Sequence, residues 1–126
     1  MGGVTYDTGA LAAAERNRKM WELRAGLVAE EVIPVIPAPV LAQAWRRGAR
    51  QAGLARLLRM CDVEPMSEEL AKSVGILVSD SGHDDIVDDA VVKGAIGRDD
   101  GVVASDAGHI RKIADAAGST LRIASI

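Results

Sequence analysis

The chain has 126 residues, 48% of them hydrophobic and 26% charged, which fits one packed domain and excludes a disordered or fibrous chain. A formal net charge of −3 and a pI near 5.3 exclude a protein that holds nucleic acid by bulk positive charge. With no Phe, two Trp and one Tyr, the core must be aliphatic, and a stacking platform for bases is absent.

In chain order, residues 3–7, "GVTYD", read as a short strand, and "TGALAAAER" after them has small and apolar residues at helical spacing. "KMWELRAGLVAEE" (19–31) predicts a helix with Met20, Leu23, Leu27 and Val28 on one face, and "EVIPVIP" a second strand. "APVLAQAWRRG" and "ARQAGLARLLRM" predict two helices broken at Gly48, and "CDVEP" a brief third strand. Ser67, Glu68 and Glu69 mark a helix start, with the stop near "DSGHD". "DDIVDD" opens a helix running to about Gly97, "GVVAS" is a fourth strand, "AGHIRKIADAAG" a helix ending at Gly118, and "STLRIAS" the last strand.

Short apolar strands alternating with helices predict an α/β fold: a central parallel sheet of about five strands, helices on both faces, one domain over 1–126. The lone Cys61 permits no internal disulfide and the N-terminus does not read as a signal peptide, so the reducing cytoplasm is expected. The longest apolar stretch, "VIPVIPAPVLA", is too short and Pro-rich to span a membrane.

Ligands of such sheets bind beyond the carboxyl ends of the strands, where the strand order reverses. Asp7 and Thr8 follow the first strand and Ser105 and Asp106 the fourth, while Asp85 and Asp88 open the helix leading into the fourth. If the first and fourth strands are neighbours, these carboxylates face one crevice; a helix start at the opposite sheet edge is equally allowed. Each aspartate alone also reads as a helix cap, and Asp85 with Asp88 has capping-box spacing. As a set they suit a hard divalent cation such as Mg²⁺ or Mn²⁺, which would neutralise them. One Cys and two His far apart in sequence do not suggest a zinc site.

On "YDTGAL", "PAPVLAQAWRRG", "DIVDDAVV" and "GVVASDAGHIRKIA", in that order and spacing, the chain resembles the PIN-domain ribonucleases, and within them the VapC-type toxins of toxin–antitoxin pairs. The resemblance implies a PIN-like three-layer fold with the first strand beside the fourth, and a Mg²⁺- or Mn²⁺-dependent endoribonuclease. It implies an RNA substrate, a cognate antitoxin and a homodimer. By position Asp7, Asp88 and Asp106 resemble the catalytic, metal-binding acids, with Asp85 auxiliary and Thr8 and Ser105 beside the metal. Two residues depart from the pattern: Gln43 stands where the family usually has Glu, and Gly9 where Asn or Ser often follows "DT". Gln43 leaves open a weak or inactive PIN domain that binds RNA or an antitoxin without cutting. A receiver domain is a further alternative, but it would need paired acids after the first strand and a late Lys.

Arg46, Arg47 and Arg50 beside Trp45 are either a rim for RNA phosphates or a solvated face. His83 and His109 could act near phosphate but read first as surface or capping residues, Met20, Met60 and Met66 as core filler or a partner face, and Cys61 as a small buried residue.

Overall fold

The computed structural model describes residues 3–15, 17–46 and 51–126. Strands β1 (Val4–Tyr6), β2 (Val35–Pro37), β3 (Asp62–Glu64), β4 (Gly101–Ala104) and β5 (Ile123–Ser125) form one sheet in the order β3-β2-β1-β4-β5. Every pairing is parallel, with Thr5 opposite both Val35 and Val102. The chain steps one way from β1 to β3, then crosses to the far side of β1 for β4 and β5, so the order reverses between β1 and β4. Parallel neighbours require crossovers, and right-handed ones carry the helices before and after that reversal to opposite faces. This is the three-layer, PIN-like arrangement expected, with β1 beside β4.

Helices α1 (Thr8–Ala13) and α2 (Arg18–Ala29) link β1 to β2, and α3 (Ala38–Ala44) and α4 (Ala52–Leu58) link β2 to β3. Helices α5 (Glu68–Ser81) and α6 (Ile86–Arg98) lead into β4, and α7 (Ala107–Ala116) into β5. Helix α5 starts where the sequence places it: Ser67 accepts a hydrogen bond from the Leu70 N–H, Glu68 and Glu69 fill the first turn, and Gly82 stops the helix in the left-handed region at φ 71°.

Helix α6 is the central one, packed on α3, α5, α7 and strands β1, β2 and β4. Asp89, Ala90, Val91, Val92, Gly94 and Ala95 are all buried, so it is apolar nearly all round and its neighbours must come close. The core joins Val91, Val92 and Ala95 to Tyr6, Leu11, Met20, Ile36, Val102, Ile110 and Ile113. The absence of Phe fits this: the spaces between closely packed layers are filled by branched aliphatics.

Two expectations fail locally. Val28 is exposed rather than on the buried face of α2, because Met20, Leu23 and Leu27 define a stripe that Val28 overshoots. The second strand pairs only over Val35–Pro37: Glu31, at φ 58°, ends the helical region, and Ile33 faces out. Met20 is core, Met60 is exposed and Cys61 half-buried, its thiol pushed up to about 11 mainly by burial. Among the described residues no helix is long and apolar enough to cross a membrane.

Candidate metal centre

The Asp7 N–H donates to the Val103 carbonyl at 3.1 Å, extending the β1–β4 ladder by one residue and fixing Asp7 at the carboxyl end of the sheet. Its Oδ1 accepts from the Ala10 N–H at 2.8 Å and caps α1. Asp106 caps α7, taking the His109 N–H at 3.1 Å, and Asp85 caps α6, taking the Asp88 N–H at 3.2 Å. The capping reading is therefore correct for all three. A cap occupies one carboxylate oxygen, however, and each aspartate has two, so capping leaves ligand capacity free.

These acids form one electrostatic group. Asp7 is buried, which lifts its carboxyl above the ordinary range; Asp106 adds repulsion, while the N–H groups of Ala10, Ser105 and Gly9 oppose it. Asp88 is pushed up to about 6, first by burial and then by Asp85, with a smaller contribution from Asp7; His109 pulls the other way. Asp7 thus feels Asp106 at the start of α7 and Asp88 from α6, across three separate segments. Among the described residues no Lys or Arg pairs with Asp7, Asp85, Asp88 or Asp106; the one basic side chain in contact is His109, whose Nε2 lies 3.0 Å from Asp88 Oδ2.

Asp85, Asp88 and His109 each offer a ligand atom, and the three atoms lie within 4.8 Å of one another. That spacing and donor set fit a divalent cation after small adjustments, because ligands about 2.1 Å from one ion sit roughly 3–4 Å apart.

The auxiliary residues lie close to Asp7: the Ser105 N–H bonds its carboxylate, and Thr8 follows it in the chain. The Thr8 hydroxyl donates to Gln43 Oε1 at 2.6 Å, so α3 brings position 43 to the residue beside Asp7. The side-chain oxygen of Gln43 is engaged by Thr8. Ser105 lies against Gly9 so closely that a Cβ at position 9 would stand 1.8 Å from its Oγ. Gly9 is thus the residue that lets α1 meet the turn after β4. The Arg46 guanidinium folds back on α3, donating to the carbonyls of Ala42 at 3.2 Å and Trp45 at 2.6 Å. Arg47 and Arg50 lie outside the described residues.

The sequence reading ranked His109 as a surface or capping residue and did not single out Asp89. His109 stands three residues after Asp106 as Asp88 does after Asp85, and that repeated same-face spacing was the available signal. His83 and His109, 26 positions apart in the chain, meet edge to face with ring centroids 5.0 Å apart. They are not distant, as their sequence separation suggested. Asp89 is fully buried; its Oδ1 accepts from the Ser81 hydroxyl at 3.4 Å and its Oδ2 has no protein partner.

The sequence matches no family model and no curated protein. Its structure does have counterparts. The structure of FitAB bound to an IR36 DNA fragment contains a chain that superposes with TM-score 0.69 at 13% identity, over 97% of this chain and 94% of that one. A chain of VapBC2 from Rickettsia felis, bound to a DNA fragment from its promoter, gives TM-score 0.69 at 15% identity, over 98% of both chains. The chain has the PIN-like fold of those two complexes. At such identities the likeness concerns the backbone, and the chemistry has to be argued from the crevice.

Proposed function

We propose that the chain is a VapC-like toxin: a metal-dependent endoribonuclease that hydrolyses RNA phosphodiester bonds and is restrained by a cognate antitoxin. The observation that supports this reading is the electrostatic coupling of Asp7 with Asp106 and of Asp88 with Asp7, beside the group that Asp85, Asp88 and His109 form within 4.8 Å of one another. Like charges at that density call for a cation. VapBC2 bears the name of the class whose sequence pattern the chain resembles, and it shares the fold end to end.

In this reading Asp7, Asp88 and Asp106 hold Mg²⁺ or Mn²⁺, with Asp85 assisting. The bound ion supplies Lewis acidity and a water of lowered pKa for attack on phosphorus. Asp7, fixed by the sheet and by three backbone N–H groups, is the rigid member, while the caps hold Asp85 and Asp106 to their helix starts. Thr8 and Ser105 flank it, and Thr8 positions Gln43.

The test is incubation of the purified protein with total RNA, with and without Mn²⁺, beside Asp106→Asn. Metal-dependent cleavage that the variant loses by at least about a hundredfold, with an unchanged fold, is expected. Full activity in Asp106→Asn would remove that residue from the site. Gln43 favours a second reading, a module that binds RNA or antitoxin without cutting; it predicts RNA retention with no cleavage products at any Mn²⁺ concentration.

A further inference from the structure

We infer that His109 is itself a ligand of the metal centre and biases it toward Mn²⁺ and other transition-metal ions over Mg²⁺. This rests on the metal-dependent reading above and changes the all-carboxylate donor set into a mixed nitrogen and oxygen one.

The geometry is the first reason. His109 Nε2 lies 3.0 Å from Asp88 Oδ2. Two adjacent ligands on an octahedral ion with bonds of about 2.1 Å are separated by about 3.0 Å, so an ion can bind this edge with little movement. Asp85 supplies a third atom within reach.

The ring is also held in place. His109 sits in the first turn of α7, its backbone N–H bonded to Asp106 Oδ1, and the His83 ring stands against it at 87°. It therefore shares a helix start with one proposed metal-binding acid and touches another. With its side chain 28% exposed, it borders solvent through which an ion can arrive.

Chemistry supplies the preference. Mg²⁺ demands oxygen ligands and keeps much of its water, whereas imidazole suits the first-row transition metals, whose affinities rise from Mn²⁺ towards Cu²⁺. A histidine that only neutralises Asp88 would support every divalent ion alike or compete with every one alike. A histidine that ligates separates them.

Calorimetric titration of the metal-free full chain with Mn²⁺ and with Mg²⁺ tests this, beside His109→Gln, His83→Gln and Asp88→Asn, each checked for folding by circular dichroism. The wild type should bind Mn²⁺ at least about tenfold more tightly than Mg²⁺. His109→Gln should weaken Mn²⁺ by about 10- to 100-fold and Mg²⁺ by under about threefold. Pulsed electron paramagnetic resonance of the Mn²⁺-loaded protein should show ¹⁴N modulation that His83→Gln keeps and His109→Gln loses. If His109→Gln does not fold, His109→Asn takes its place, and the wild-type ¹⁴N signal still decides. Equal losses for both ions, no loss, or no nitrogen modulation overturns the inference while leaving the metal centre standing. Absence of any divalent binding by the wild type overturns both together.

Discussion

Acids stand at both ends of strand β4, and their charge is handled in opposite ways. At its amino end Asp100 is buried, but Arg98 Nε donates to its Oδ2 at 3.0 Å and the Thr5 hydroxyl donates to the same oxygen at 2.9 Å. Arg98 also pairs with Glu64 of β3, and it donates to the Thr5 Oγ1 at 2.7 Å, closing a small network. Gly3 and Gly94 make room for it: a Cβ there would stand 2.8 Å from Asp100 Oδ1 and 2.7 Å from Glu64 Oε1 respectively. At the carboxyl end lie Asp7, Asp85, Asp88 and Asp106, and the one basic side chain against them among the described residues is His109, on Asp88. A compensated acid holds the fold together, whereas an under-compensated set is held by the fold for another partner.

The contrast is open to direct challenge. The largest effect is expected at the compensated end: Arg98→Ala strands Asp100 and Glu64 without their cation and should cost about 3 kcal/mol in urea unfolding. A loss below about 1 kcal/mol would make the network an ordinary surface bridge.

At the under-compensated end the sign should invert. Asp88→Asn removes a charge whose neighbours oppose it, so the metal-free protein at pH 7 should gain roughly 1 kcal/mol while losing divalent binding. The pH profile follows from the same shift. Asp88 binds its proton more tightly folded, near pH 6, than unfolded, near 3.8, so the folded state takes up protons first. Its contribution to stability is complete below about 3.8 and is lost as pH rises through 6, and Asp7 and Asp89 shift in the same direction. The metal-free melting temperature should therefore rise on acidification from pH 7 towards 4, more steeply in wild type than in Asp88→Asn. A wild-type profile that falls monotonically over that range would mean that the crevice acids are already compensated.

The smallest effect belongs to Gln43→Glu. Placed beside Thr8, a new carboxylate should cost a few tenths of a kcal/mol without metal and raise Mn²⁺ affinity when metal is present. Equal stability changes in both conditions, measured by thermal melts, would place position 43 outside the centre.

Much of this was legible in the sequence because it is local. Period and punctuation found the five strands and the helices between them in order, though not each boundary, and Asp7 and Asp106 announced themselves by following strands directly. The β-branched run before Pro37 also looked like a longer strand than the three residues that pair, since a left-handed Glu31 leaves no periodic trace. What stayed hidden depends on two segments meeting: His83 against His109, and the Arg98 network joining β1, β3 and the start of β4. Asp89, one of four aspartates in six positions, resembled its neighbours in the chain; only the packing of α6 makes it the fully buried one.

The contact between Gly9 and Ser105 constrains how the sequence can change. Any side chain at position 9 would overlap the Ser105 Oγ and Cβ, at 1.8 and 2.5 Å, so something there would have to shift. Mutational drift towards the Ser or Asn that the family pattern favours at position 9 is therefore blocked while Ser105 is present. The order of steps matters: turning the Ser105 hydroxyl leaves its Cβ in the way, so a glycine at 105 has to precede growth at position 9. The two positions are therefore coupled: the effect of a substitution at position 9 depends on whether position 105 has changed before it.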